Sequence, residues 1–270
     1  MTNTVSVFAL ARQVLDTGEP RAKAAEAHAA ARAWREGRVI IGAPETPPDR
    51  PARPARPECV APGKVPRRRL NSPEGRAALL HAIAHIEFNA IDLAFDMVVR
   101  FGLDPAIADA ARHDFIDDWI GVGDDEARHF GMVADRLEAL GSHYGELPAH
   151  NGLWDSAEAT SALLPARLAV APLVLEARGL DVTPGMIDRL ISAGDRESAG
   201  ILTVIYNEEI GHVAAGARWF RHVCARSGED PATRFKALVS LYFRGNLKPP
   251  FNAQARLQAD LPPDFYLPLA

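Results

Sequence analysis

Cysteine is almost missing: Cys59 and Cys224 are the only two in 270 residues, and no CxxC pair occurs. Two cysteines cannot make a disulfide framework, and nothing has the spacing of a cysteine zinc site. Long hydrophobic runs are missing too. No stretch approaches the roughly 18 apolar residues that a membrane-spanning helix needs. Alternating β-branched segments bounded by turns are scarce, so little strand is expected. Charge is nearly balanced, with 30 Lys and Arg against 35 Asp and Glu. The resulting −5 does not demand nucleic acid, an anionic membrane or an acidic substrate as partner. The opening residues 1–10 carry no basic n-region and too short an apolar stretch for a secretory signal. A cytoplasmic, reduced protein is the expectation.

What is present reads as helix. Apolar residues make up 47% of the chain, enough for a sizeable core. Residues 1–40 are expected to form an N-terminal helical extension, with helices over 5–15 and 19–38. Residues 41–72 read as a Pro/Arg-rich linker or wrapping arm, because eight prolines fall between Ala43 and Pro66 and Arg67-Arg68-Arg69 follows. Proline lacks the N–H that either ladder needs. Residues 73–226 are expected to hold a four-helix bundle, and residues 227–270 a C-terminal helix and arm.

Within the bundle, Ser72-Pro73-Glu74 is a helix start, with Ser as N-cap and Pro at the first helical position. Helix A is expected over 74–101, helix B over 105–140, helix C over 157–178 and helix D over 195–226. A short helix over 183–193 precedes D, and Gly102, Gly141 and Gly179 close A, B and C.

Each of the four carries an acid where its apolar stripe predicts a core residue. In helix B, Phe115, Trp119, Val122, Val133 and Leu137 follow helical steps, and Glu126 and His129 fall among them. In helix D, Glu209 and His212 interrupt Leu202, Ile205, Gly216, Phe220 and Val223. Glu87 interrupts Leu80, Ile83, Ile91, Ala94 and Val98 in helix A, and Glu176 lies beside Leu173 and Leu180 in helix C. Glu208 is the rival to Glu209, but it is rotated about 100° off the stripe. Burying one unpaired carboxylate costs several kcal/mol, so a group of four needs compensation. Two divalent cations would balance four carboxylates, and the two imidazoles would complete the coordination as neutral ligands. Spacing of i, i+3 stacks each Glu and His on one helix face. One Glu from each of two helices, plus Glu-x-x-His from each of two others, is the ligand pattern of di-metal carboxylate bundles.

On these residues the chain resembles the ferritin-like superfamily, all-α four-helix bundles here extended by N- and C-terminal helices and arms. More narrowly, His85-Ile86-Glu87, Asp125-Glu126-Ala127-Arg128-His129-Phe130, the stretch 176–185, Glu209-Ile210-Gly211-His212-Val213 and Leu247-Lys248-Pro249-Pro250-Phe251-Asn252 are similar to a bacterial ferritin-like family of unassigned function. The resemblance implies a di-iron centre, with manganese or zinc compatible with the ligands. It further implies O₂ or peroxide chemistry, and hence an O₂-dependent oxidoreductase acting on a small molecule. The alternatives are an iron-handling protein without organic substrate and a tRNA-hydroxylase-like enzyme. Seventy residues before helix A argue against a storage cage and for a discrete enzyme or homodimer. The acidic balance and the lack of a basic, aromatic-studded stripe count against nucleic acid.

Other residues carry weaker signals. Tyr206, one turn before Glu209, is a core tyrosine or a catalytic residue beside the metals. His85 reads as a surface or supporting group, and Phe130 and Trp219 as packing. Asp125 could orient a ligand histidine. Asp195 reads as an N-cap, and Pro172 should kink or locally open helix C.

Overall fold

Ser6, Glu19 and Ser72 each start a helix in the first of two units, residues 1–154. The second unit spans residues 155–270. The computed structural model describes residues 5–65 and 70–270, so the Arg67-Arg68-Arg69 run lies outside the described residues.

Helix α1 (Val7–Asp16) is capped by the Ser6 hydroxyl, which accepts from the Phe8 N–H. Helix α2 (Pro20–Arg35) begins with Pro at its first position, and the Glu19 carboxylate accepts from the Arg21 and Ala22 N–H groups. Such caps satisfy donors that the first turn leaves open. Two short strands, β1 (Val5–Ser6) and β2 (Val39–Ile40), pair in parallel at the ends of this helical pair. The sequence pattern misses them because two residues are too few to alternate.

Helix α3 (Pro73–Phe101) starts at Ser72, whose hydroxyl accepts from Gly75 N at 3.1 Å. It packs most extensively on α4 (Arg112–Ala139) and also on α1. Gly123 of α4 permits this approach, since a Cβ there would sit 2.6 Å from the Phe95 ring of α3. The expected start of helix B at Pro105 is displaced. Asp104 accepts from Ala106 N at 2.8 Å and turns the chain, a 3₁₀ turn follows at Asp109–Ala111, and α4 begins only at Arg112.

The Pro-rich arm is fastened along this unit by the backbone groups its prolines leave available. Ala52 N donates to Leu15 O at 2.7 Å, Val60 N to Ala149 O at 2.8 Å, and Ala149 N to Glu58 O at 3.0 Å. Arg53 of the arm reaches Asp92 of α3, at 3.0 Å, and Asp92 also pairs with Lys23 of α2. Both Lys23 and Asp92 are completely buried. Burial lowers the Lys23 pKa and raises that of Asp92, each partly offset by the charge of the other. Lys23 and Arg53 both stand over the Phe88 ring, at 5.1 and 5.2 Å.

Helix α5 (Gly152–Ala159) leads into the second unit. There α6 (Leu164–Val170) runs into a π-turn, Ala171–Glu176, and then α7 (Ala177–Ser192). Pro172 accounts for the π-turn: it has no N–H to donate and its ring would collide with the carbonyl one turn back. The local opening expected at this proline is therefore present. Gly179 does not close a helix, and Thr183-Pro184-Gly185 does not open one; α7 passes through both, with Pro184 inside it. Gly179 keeps a negative φ, so it supplies none of the left-handed geometry that ends a helix.

Helix α8 (Arg196–Ser227) is capped by Asp195, which accepts from Ser198 N at 3.0 Å, and it ends at Gly228 with φ 70°. It packs along α7 and the π-turn. Gly216 makes this crossing close, because its face lies directly on Pro172. Helices α9 (Pro231–Tyr242), α10 (Ala253–Gln258) and α11 (Pro263–Tyr266) complete the unit. Phe220, Phe235 and Phe265 form an aromatic cluster among α8, α9 and α11.

Both cysteines are free, Cys59 exposed and Cys224 buried. No helix among the described residues is long and apolar enough to cross a membrane.

Candidate metal centre

Glu87 enters the core from α3, and Glu126 and His129 enter from α4. All three are buried, with Glu126 and His129 completely so. They meet because α3 and α4 pack along their lengths and the i, i+3 spacing turns Glu126 and His129 to one face. His129 Nδ1 lies 3.3 Å from Glu126 Oε2 and 3.4 Å from Glu87 Oε2. Each residue offers a ligand atom within 4.8 Å of those of the others.

Two carboxylates and an imidazole held this close in a dry interior strain each other's charge. Burial lifts the Glu87 pKa well above the usual carboxylate range, and the charge of Glu126 adds to it. Burial alone would lower the His129 pKa, but hydrogen bonding to Glu126 and Glu87 and their charge outweigh it and raise it to about 11. The donor set of carboxylate oxygens and an imidazole nitrogen is one that a divalent cation satisfies. This buried group could hold a metal ion.

The second unit carries another Glu-x-x-His pair. Glu209 and His212 lie one turn apart on α8, with His212 Nδ1 3.6 Å from Glu209 Oε2. His212 is buried and Glu209 half-buried. Glu176 ends the π-turn and is also half-buried. Tyr206, one turn before Glu209, is half-buried and accepts a 2.9 Å hydrogen bond from Asn252 Nδ2.

Residues outside the ligand group pack or pair around it. His85 is buried rather than on the surface: its Nδ1 lies 2.9 Å from Tyr144 Oη and its Nε2 3.1 Å from His150 O. His81 Nε2 accepts from Gly145 N at 3.0 Å. Burial lowers both histidine pKa values to about 4, so they are neutral struts for residues 144–150. Phe130 packs against Phe88 and Tyr144, and Trp219 is buried beside His222. Asp125 accepts from Arg128 at 2.9 Å.

The sequence pattern did not single out the buried ion cluster of Lys23, Arg53 and Asp92. Asp92 was visible as an acid five residues after Glu87 in an apolar helix, but its partners come from distant segments. Asp181 and Arg256 are likewise both buried and paired at 2.7 Å across 75 residues of sequence.

No solved structure matches the chain. An uncharacterized protein of Haemophilus influenzae is 41% identical over 203 residues, which cover 75% of this chain and 70% of that protein. Residues 16–267 match the family described as "Protein of unknown function (DUF455)", and the chain belongs to that family.

Proposed function

We propose that this chain is a ferritin-like di-metal carboxylate protein that binds two ions, iron being the expected metal. The observation that carries the reading is the buried meeting of Glu87, Glu126 and His129 at the α3–α4 crossing. The second unit repeats its chemistry with Glu176 and Glu209-x-x-His212. Four carboxylates and two imidazoles offer a charge of four against two divalent ions, which is neutral. In this reading the six residues are the ligands of the two ions.

Reduced iron held by such ligands supplies O₂ chemistry, and an O₂-dependent oxidation of a small molecule is the activity we assign. The chain's own part is to exclude water and fix the ligands. Glu87, Glu126 and His129 are themselves 3% exposed or less, so that side is already closed to bulk water. Tyr206 would act beside the centre, held in place by Asn252.

Metal content decides the matter. Protein purified without chelator, or reconstituted with Fe(II) under nitrogen, should carry about two irons per chain. Exposure to O₂ should then change its visible absorbance. Glu126→Gln with His129→Gln, and separately Glu209→Gln with His212→Gln, should each lower the iron content. Unchanged stoichiometry in both would remove the assignment. Oxidation of Fe(II) without turnover of any added organic substrate would favour iron handling.

A further inference from the structure

Within the second unit a cavity of about 170 Å³ opens between the π-turn and the segment that follows α9. Val174, Leu175, Phe243 and Phe251 give it apolar walls. Its charged lining is unbalanced: Arg178, Lys248 and Arg256 face a single carboxylate, Asp181. That carboxylate is already engaged. It accepts from Arg256 Nε at 2.8 Å, from Arg256 Nη2 at 2.7 Å and from Asn252 N at 2.9 Å.

Arg256 is 2% exposed, and its remaining terminal nitrogen, Nη1, is buried with no hydrogen-bond partner among the described residues. A guanidinium nitrogen left so is costly unless something accepts from it. The group cannot swing away, because it is clamped by Asp181 and stacked on the rings of Tyr266 and Phe251, at 4.5 and 5.2 Å. Arg178 NH1 in turn fastens the segment over the cavity, donating to Lys248 O at 2.6 Å and Pro250 O at 3.1 Å.

We propose that this cavity binds a small organic carboxylate, its charged end at the basic part of the lining, Arg178, Lys248 and Arg256, and its apolar body along the π-turn and Phe243. Unbalanced positive charge selects an anion, and apolar walls select one with a hydrocarbon body rather than a free inorganic ion. A dry cavity of about 150 Å³ accepts benzene, so this volume suits a molecule of one ring or a short chain. The inference does not depend on metal binding, because every group it uses belongs to the second unit and none is an assigned ligand.

The test is calorimetric titration of the full-length, metal-free protein with benzoate, benzamide and inorganic phosphate. Benzoate should bind one site per chain with a dissociation constant on the order of 1 mM or tighter, as its size allows. Benzamide should bind about tenfold more weakly, and phosphate should not compete. Lys248→Gln should weaken benzoate several-fold, and Leu175→Trp, which fills the cavity, should abolish binding while leaving the circular dichroism spectrum unchanged. Equal affinity for benzamide, competition by phosphate, or unaltered benzoate binding in both variants would overturn the proposal. So would the absence of saturable benzoate binding. Iron stoichiometry, measured on separate portions of the same variants after reconstitution with Fe(II), keeps this outcome distinct from that of the metal reading.

Discussion

Replacing Gly216 by alanine should destabilise the protein, although the same change elsewhere on α8 should stabilise it. Glycine in a helix interior costs roughly 1 kcal/mol relative to alanine, so the exchange is favourable wherever a methyl group has room. Gly200 has that room, with no atom within 4 Å of its would-be Cβ. At Gly216 the methyl carbon would lie 2.4 Å from Pro172 Cβ and 2.5 Å from Pro172 Cγ. A proline ring is tied to its own backbone and cannot rotate aside, so relief requires α8 and the π-turn to separate. Overpacking of this kind costs about 1–3 kcal/mol or more. The collision is more severe than most, so a net loss of about 1–2 kcal/mol remains after the helix gain. For a chain of this size that is a fall in melting temperature of about 2–8 °C. Thermal melts of Gly200→Ala and Gly216→Ala, followed at 222 nm, compare the two directly. If Gly216→Ala raises the midpoint as much as Gly200→Ala does, the close crossing of α8 on Pro172 is wrong.

Three further outcomes can be measured. Asp92→Leu should cost about 3–5 kcal/mol in urea denaturation, because it leaves Lys23 charged and buried without its main counter-ion. Adding Lys23→Met should recover much of that loss, whereas additive losses would refute the coupling. His81 has its folded pKa depressed to about 4 by burial, below its ordinary 6.5. Its contribution is therefore complete above pH 6.5 and is lost as pH falls towards 4, by up to about 3 kcal/mol. Denaturation at pH 7 and pH 4.5 should show a smaller pH difference for His81→Gln than for the native chain; an unchanged difference would rule His81 out. Removing the cap with Ser72→Ala should cost about 1 kcal/mol, and a shift of the denaturation midpoint smaller than experimental error would count against the capping role.

Helix-forming segments were legible because their chemistry is local. Ser72, Asp195 and Pro73 act within a turn of themselves, and the sequence places them where the structure does. The same holds for Glu126 and His129, whose burial follows from the stripe they interrupt. Long-range partners were not legible. Asp92 is held by Lys23 and Arg53 from two other segments, and nothing near it in sequence announces either. Asn252, which ties the C-terminal segment to Tyr206 and Asp181, looks like an ordinary turn residue until its neighbours are known. His85 shows the same limit. Its place in the sequence allows a surface or a supporting group, and only the loop at Tyr144 and His150 shows which contacts it makes.

Helix C departs from the regular stripe on which Glu176 was singled out. The stripe through Ala169, Pro172, Leu173, Glu176 and Leu180 assumes 3.6 residues per turn throughout. The π-turn at Ala171–Glu176 breaks that assumption, because a wider turn takes in one extra residue and rotates everything beyond it by about 100°. Ala169 and Leu173, before or inside the turn, are fully buried, and so is Leu180 beyond it. Glu176 stands at the point where the rotation is absorbed and remains half-buried. Proline is thus the cause of the register change, and Gly216 is the space that lets α8 follow it closely. A substitution that restored a regular helix, such as Pro172→Ala, should rotate Glu176 relative to Leu173. If Glu176 is a ligand, metal loading should fall while overall helicity rises. Full loading with that substitution would mean that the wide turn serves packing alone.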